Sequence, residues 1–159
     1  MSDWRFKRQP PGFTLTPSID SGAVMPQDAI FLPMGALALL TFIVLGFIPA
    51  TRFPAVLSGK VAPDDFKLGE SARVPPNVAV TNRNYMNLLE LPVLFYVAGL
   101  MYYVAGRVDP TALSVAWVYV GLRAIHSVIH LTYNGVIHRL VVFAASNFVL
   151  IAFWVLFFI

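Results

Sequence analysis

The sequence contains no cysteine and few charged residues, and both shortages limit what the chain can do. Without cysteine there is no disulfide, no thiolate metal site and no cysteine nucleophile, so thiol chemistry would need a thiol from a substrate or cofactor. Only 12% of the 159 residues are charged, against about 25% in soluble domains, and 58% are hydrophobic. This composition predicts a membrane protein of one domain. The net charge of +3 is scattered, and no basic tract indicates a nucleic-acid partner.

Long apolar runs predict four membrane-spanning helices, at about residues 29–51, 78–105, 111–133 and 139–159. The expected fold class is therefore an all-α membrane protein, a bundle of four transmembrane helices. Residues 1–27 are polar, contain prolines and glycines and lack periodicity, so we expect an extended N-terminal tail. Arg5, Lys7 and Arg8 precede a proline pair rather than an apolar run, so we expect no signal peptide.

The placement of lysine and arginine predicts how the spans are oriented. One side has only Arg107 close to a span. The other side carries five basic residues in the first loop and the last turn, namely Arg52, Lys60, Lys67, Arg73 and Arg139. We therefore expect both of these loops in the cytoplasm and both termini outside it, in a bacterial inner membrane.

The second predicted span carries polar residues on one face. Arg83, Asn87 and Glu90 are spaced i, i+4 and i+7, so a helix places all three on the same side. An ionisable group in an apolar helix is costly, so Glu90 should face the protein interior and have a partner. Pro92 removes one backbone donor and predicts a kink or local opening in this helix.

The third predicted span has a second polar stripe, at i, i+4, i+7 and i+11, formed by Tyr119, Arg123, His126 and His130. The second and third spans run in opposite directions, so their polar residues approach the same membrane boundary. Arg139 stands just before the last span at that boundary. We therefore expect the polar residues of the three helices to converge in the cytoplasmic half of the membrane.

Other interpretations of these residues remain open. Glu90 and Arg123 could form a buried ion pair that fixes helix register. Arg52 and Arg139 could be interface anchors whose charged ends reach the headgroup region. The two histidines of the third span have the i, i+4 spacing of metal or haem ligands, although no further ligand set is evident in the sequence.

Together these motifs resemble those of a known family. Asn87-x-x-Glu90-x-Pro92, preceded by Arg83, is similar to the second-helix signature of the membrane-associated proteins in eicosanoid and glutathione metabolism (MAPEG). The run Arg123-Ala-Ile-His126-Ser-Val-Ile-His130, with an arginine nine residues later, resembles the prostaglandin-E synthase branch of that family. The likeness, which also extends to microsomal glutathione transferases and suggests a bacterial-type member, covers residues 28–159.

The resemblance implies a homotrimer of four-helix chains with glutathione bound at subunit interfaces in the cytoplasmic half of the membrane. Arg139 matches the family's catalytic arginine, which stabilises the glutathione thiolate. The residues that would bind glutathione are Arg52, Arg83, Asn87, Glu90, Arg123, His126 and His130. Glutathione carries two carboxylates and an amine, so such a site needs several arginines and one carboxylate.

The sequence thus supports three functional hypotheses. The first is a glutathione-dependent transferase or peroxidase acting on a lipophilic electrophile that arrives from the lipid bilayer. The second is a non-catalytic MAPEG-fold protein, such as an accessory subunit of a larger membrane assembly that docks through the N-terminal tail. The third is a metal or haem carrier using His126 and His130, although we expect no metal site.

Overall fold

Five α-helices make up most of the computed structural model, which describes residues 25–67 and 69–159. A one-turn 3-10 helix, Gln27–Ile30, precedes the first α-helix, and a second one, Pro63–Phe66, lies in the first loop. The α-helices, in chain order, are α1 Phe31–Leu57, α2 Pro76–Leu89, α3 Pro92–Val104, α4 Pro110–Leu131 and α5 Val136–Phe158. Of the extended tail predicted for residues 1–27, residues 1–24 lie outside the described part of the chain.

Four stretches of helix in the described part of the chain are long and apolar enough to cross a bilayer. They are Gln27–Leu57, Pro76–Val104, Pro110–Leu131 and Val136–Phe158. Helices α2 and α3 together make the second of these spans. Large apolar side chains such as Phe42, Phe148 and Ile151 are exposed on the outer faces of the bundle, as lipid-facing residues are. The chain is therefore an integral, multi-pass membrane protein, and the all-α fold class predicted from the sequence is confirmed.

The second span is broken between α2 and α3, where the sequence predicts a local opening. Helix α2 ends at Leu89, and the backbone of Glu90 leaves helical geometry, with φ −78° and ψ −94°. Pro92 then starts α3, since a proline has no N–H to lose at a first helical position. The prediction that Arg83, Asn87 and Glu90 share one face assumed a continuous helix. The break takes the backbone of Glu90 out of that helical register.

An aromatic core holds α3, α4 and α5 together. The ring of Phe95 stacks on Tyr119 with centroids 4.8 Å apart and approaches Phe153 at 5.7 Å. Tyr102 stacks on Phe153 at 4.7 Å, and its hydroxyl donates to the Phe153 carbonyl at 3.1 Å. All four side chains are buried. The short turn between Leu131 and Val136 places the end of α4 beside the start of α5, so the polar ends of both helices meet at one end of the bundle.

The loop between α1 and α2 folds around the carboxylate of Asp65. This carboxylate accepts the Ala62 backbone N–H at 2.9 Å and the Ser71 hydroxyl at 2.8 Å, and Arg73 Nε lies 3.5 Å away. These contacts, the Ala62 N–H first, hold the pKa of Asp65 below its usual value. The loop thereby has a fixed path from the end of α1 to the start of α2.

Candidate functional site

One cavity of about 540 Å³ opens between α2, α4 and α5 at the end of the bundle that carries the first loop. Six of the residues selected from the sequence line it: Arg83, Asn87, Glu90, His126, His130 and Arg139. They come from three helices and span 57 positions of sequence from first to last, so only the fold brings them together. The volume of the cavity lies within the range of about 300–1,000 Å³ that is typical of small-molecule sites.

Helix α2 supplies one side of the cavity with a positive and a negative charge. The Asn87 side-chain amide donates to the Arg83 carbonyl at 2.9 Å, which holds the asparagine against its own helix. Arg83 and Glu90 are exposed on the single chain. A ligand carrying both a carboxylate and an ammonium would find complementary groups along this wall.

Helix α4 contributes two buried histidines to the opposite wall. His126 and His130 are 2% and 3% exposed, and their rings lie perpendicular with centroids 5.6 Å apart. The Nδ1 atoms of both rings are buried and make no hydrogen bond within the described residues. Buried polar atoms are normally paired, so these two nitrogens are exceptions within the described part of the chain. The ring of His126 also packs on Phe143 at 5.6 Å, which fixes its orientation.

Arg139 lies in the first turn of α5, and the preceding turn holds its side chain. Its Nη1 donates to the Asn134 side-chain oxygen at 2.6 Å, and its backbone N–H donates to the Gly135 carbonyl at 2.9 Å. Asn134 has a positive φ of 48°, a conformation that asparagine tolerates better than most residues. A guanidinium has five N–H donors, so the bond to Asn134 positions the group and leaves donors for a ligand.

The ion pair expected between Glu90 and Arg123 is not present. Among the described residues the ion pairs are Arg52–Glu70 and Arg73–Asp65. Arg123 is fully buried behind the cavity, and its Nη2 donates to the backbone carbonyl of Asn87. The helix break explains the difference, because Glu90 lies outside the register of α2 and its side chain is exposed.

Comparison with models of known families shows which family the chain belongs to. The model of the MAPEG family matches residues 30–159, which is more than four fifths of the chain. The chain belongs to the MAPEG family. Comparisons with curated proteins and with solved structures give no match. The resemblance seen in the second- and third-helix motifs is therefore confirmed at the level of the family, over nearly the range expected from the sequence.

In this MAPEG chain, Arg52 and Arg123 are the two selected residues outside the cavity wall, and Arg52 has partners in the first loop. It does not line the cavity; its Nη2 bonds Glu70 Oε1 at 3.0 Å, and its guanidinium lies 4.5 Å above the ring of Phe66. Glu70 does line the cavity, although the sequence placed it only in a polar loop. The 18-residue separation of Arg52 and Glu70 gives no periodic signal, so the sequence could not reveal this pair.

Apart from Asn82, apolar side chains form the rest of the cavity wall. They are Met86 from α2 and Val136, Leu140 and Phe143 from α5. Val136 and Leu140 are more than 60% exposed, so this wall continues onto the outer surface of the bundle. The cavity therefore joins a charged interior to an apolar face. The part of the chain that the structure describes contains no group of three or more histidine, aspartate or glutamate side chains that could hold a metal ion.

Proposed function

We propose that the chain is a glutathione-dependent membrane transferase or peroxidase that acts on a lipophilic electrophile. The observation that carries this proposal is the single cavity in which two arginines, two asparagines, two histidines and two carboxylates meet. Glutathione has two carboxylates, one ammonium and one thiol. Arg83 and Arg139 would bind carboxylate or thiolate charge, and Glu90 would accept from the ammonium. The imidazoles of His126 and His130, which line the same cavity, would offer further hydrogen bonds.

In this proposal Arg123 and Arg52 act behind the cavity wall. Arg123 bonds the Asn87 carbonyl, so it holds the α2 backbone next to the site and supplies positive potential from within the bundle. Arg52 acts through Glu70, which it bonds directly. Both were selected as glutathione-binding residues, and the proposal assigns them positioning roles.

Arg139 would stabilise the sulfur in its thiolate form. A free thiol has a pKa of about 8.5, so at neutral pH it is mostly protonated. Arg139 remains charged, and it sits in the first turn of α5, where the helix N-terminus adds positive potential. Both effects lower the pKa of a nearby thiol. Glutathione supplies the nucleophilic sulfur that this cysteine-free chain lacks, and the apolar face beside Leu140 would admit the lipophilic substrate from the bilayer.

We further propose that the site is completed in a homotrimer, with the first loop on the cytoplasmic side. Arg83 and Glu90 are exposed on one chain at the edge of an apolar bundle, and charges facing lipid are costly. A neighbouring subunit would cover them. Native mass spectrometry in detergent should show a trimer. A stable monomer that keeps its helices and binds glutathione would contradict this assembly.

The ultraviolet absorbance of the thiolate tests the function directly. Mixing the protein with glutathione at neutral pH should give a thiolate signal, and Arg139→Leu should abolish it because the stabilising charge is gone. Arg107→Leu is the matched control, since it removes an arginine from the opposite end of the bundle, where the guanidinium bonds the Phe157 carbonyl. This control should retain the signal.

Two results would overturn the proposal. If the wild-type protein shows no thiolate signal and conjugates no generic electrophile, the alternative of a non-catalytic MAPEG-fold protein replaces the transferase. If Arg139→Leu and Arg107→Leu both keep the full signal, Arg139 is an interface anchor and another group must stabilise the thiolate. Circular dichroism of both variants in detergent checks that the helices are intact.

A further inference from the structure

A second cavity, of about 570 Å³, lies on the other side of His130, between the end of α1, the start of α2 and the end of α4. Its lining, unlike that of the candidate site, contains no aspartate, glutamate, lysine or arginine. Because burying a charge without a counter-charge is costly, this α1-side cavity favours an uncharged ligand. The residues that line it are Phe47, Thr51, Pro76, Asn77, Val80, Thr81, His130, Leu131, Thr132 and Asn134.

The polar side chains of the α1-side cavity can both accept and donate hydrogen bonds. The hydroxyls of Thr51 and Thr132 donate to backbone carbonyls one turn earlier in the chain, at 3.0 Å and 2.7 Å. Their oxygen lone pairs remain for a donor such as a ligand hydroxyl. The side-chain amides of Asn77 and Asn134 supply N–H donors. A ligand that carries hydroxyl and carbonyl groups therefore matches this wall.

The rim of the α1-side cavity is apolar on one side and polar on the other. Phe47 lies on the apolar outer surface of α1 and is 46% exposed. Asn77, Thr132 and Asn134 are exposed at the end of the bundle that carries the first loop. A molecule from the bilayer can thus place a hydrocarbon chain along Phe47 and its polar group between the threonines and asparagines.

Asn134 connects the α1-side cavity to Arg139. Its side-chain oxygen accepts from Arg139 Nη1 at 2.6 Å, and its backbone N–H donates to the Ile129 carbonyl at 2.8 Å. A third cavity, of about 340 Å³ beneath the first loop, is lined by both Asn134 and Arg139 and adjoins the other two. A ligand bonded to the Asn134 amide nitrogen would therefore restrain the side chain that holds Arg139.

We propose that the α1-side cavity is a second ligand site, which binds an uncharged amphiphile of the monoacylglycerol type from the bilayer. The glycerol hydroxyls bond the threonine oxygens and the asparagine amides, and the hydrocarbon chain lies along Phe47. The ligand is not consumed; its binding steadies the turn at Asn134 and, through that turn, Arg139. The site is separate from the candidate glutathione cavity, so its existence does not depend on the proposed function.

Native mass spectrometry in detergent tests the ligand class with three probes that share one hydrocarbon chain. They are 1-monooleoylglycerol, methyl oleate, which lacks the hydroxyls, and oleate, which carries a charge. The wild-type protein should bind monooleoylglycerol about tenfold more tightly than either of the others, as one or two net hydrogen bonds provide. Equal binding of all three probes, or tightest binding of oleate, would overturn the proposal.

Thr51→Phe tests the location, because the added ring fills part of the α1-side cavity. It should weaken binding of monooleoylglycerol about tenfold or more. Thr41→Phe is the matched control: Thr41 lies ten residues earlier in α1 and also donates to a carbonyl one turn earlier, at 2.9 Å, but it lines a different cavity. This control should bind like the wild type. If both variants bind like the wild type, the lipid sits elsewhere on the outer surface and the proposal fails.

Asn77→Leu keeps the location testable if Thr51→Phe does not fold, since Asn77 is exposed at the rim. It should reduce the preference for monooleoylglycerol over methyl oleate and leave the affinity for methyl oleate unchanged. An unchanged preference would remove the asparagine from the site and contradict the assignment.

Amide hydrogen exchange tests the connection to Arg139 without any thiol chemistry. Exchange in residues 134–140 should slow when monooleoylglycerol is added to the wild type and should not change in Thr51→Phe. If the lipid binds and this exchange stays the same, the link through Asn134 is wrong. Failure of the proposed function looks different, since glutathione then gives no thiolate signal while the lipid still binds.

Discussion

The two ends of the helix bundle use their polar side chains in different ways. At the end that carries the α3–α4 connection, Gln27, Arg107 and Asp109 bond to backbone atoms of the elements that meet there, and one buried polar atom, the Trp154 Nε1, has no partner within the described chain. At the end that carries the cavity, several buried polar atoms have no partner within the described chain. Buried polar groups normally pair, because an unpaired one costs about 1–3 kcal/mol. The two ends therefore differ in that most polar groups complete the backbone at one end, whereas the described chain leaves several polar groups unsatisfied at the other end.

At the α3–α4 end each contact completes a piece of backbone. The Gln27 side chain accepts from the Val108 N–H at 2.8 Å and donates to the Val108 carbonyl at 3.1 Å. Asp109 caps α4 by accepting the Ala112 N–H at 2.6 Å. Arg107 donates to the Phe157 carbonyl near the end of α5. These bonds satisfy groups that helix ends leave open, so this end is structural.

At the cavity end, the buried atoms that have no partner within the described chain belong to Arg52, Asn84, Arg123, His126, Ser127 and His130. His126 and His130 line the cavity. Arg123 donates to the backbone carbonyl of Asn87, which also lines it. A fold could bury apolar residues at these positions with less desolvation cost. Their presence supports the proposed binding role of the cavity end, and the predictions below test this division between the two ends.

The largest effect on stability should come from the structural end. Asp109→Ala removes the N-cap of α4 and should lower the free energy of unfolding by about 1 kcal/mol. Thermal unfolding in detergent measures this change, with the exposed neighbour Thr111→Ala as the control. The thiolate signal with glutathione should be unchanged in both variants. If Asp109→Ala removed that signal at temperatures where the protein is folded, the two ends would not be independent.

The sequence was sufficient for the fold and for much of the site's composition. Long uncharged runs and the proline at position 92 predicted the helices and the break in the second span, because membrane helices and prolines impose strong local constraints. Periodicity also selected residues from α2 and α4 that line one cavity. Such information is local in sequence, so it survives without knowledge of the tertiary structure.

The partners of individual side chains could not be predicted in the same way. Helical spacing assumed that Glu90 continues the register of Arg83 and Asn87, but the backbone leaves that register at Glu90 itself. Glu70 reaches the cavity because Arg52 and an irregular loop position it, and loops have no period to detect. Partner choice depends on backbone paths between elements, which are set by tertiary packing.

A smaller effect is expected for the coupling between Glu90 and Arg123. A buried ion pair would make the double change Glu90→Gln with Arg123→Met recover part of the loss from either single change. In the structure the two are not bonded, so their effects on the free energy of unfolding should add to within about 0.5 kcal/mol. Denaturation of the three variants in detergent measures this coupling. Recovery of 2 kcal/mol or more would show that the pair forms in the folded protein.

The smallest effect should come from Asp65, whose carboxylate lies at the cavity end but is fully used within its loop. Its pKa is lowered in the folded state, by the Ala62 N–H first and then by the Ser71 hydroxyl and Arg73. The stability that it contributes is therefore present above its unfolded-state pKa of about 3.9 and is lost as pH falls through the lower folded-state value. Thermal unfolding of the wild type and Asp65→Asn should differ at neutral pH and converge in acid. The exposed neighbour Asp64→Asn is the control and should follow the wild type. A constant difference across this pH range would mean that Asp65 acts through its shape and not its charge, and that the loop is held by its neutral hydrogen bonds.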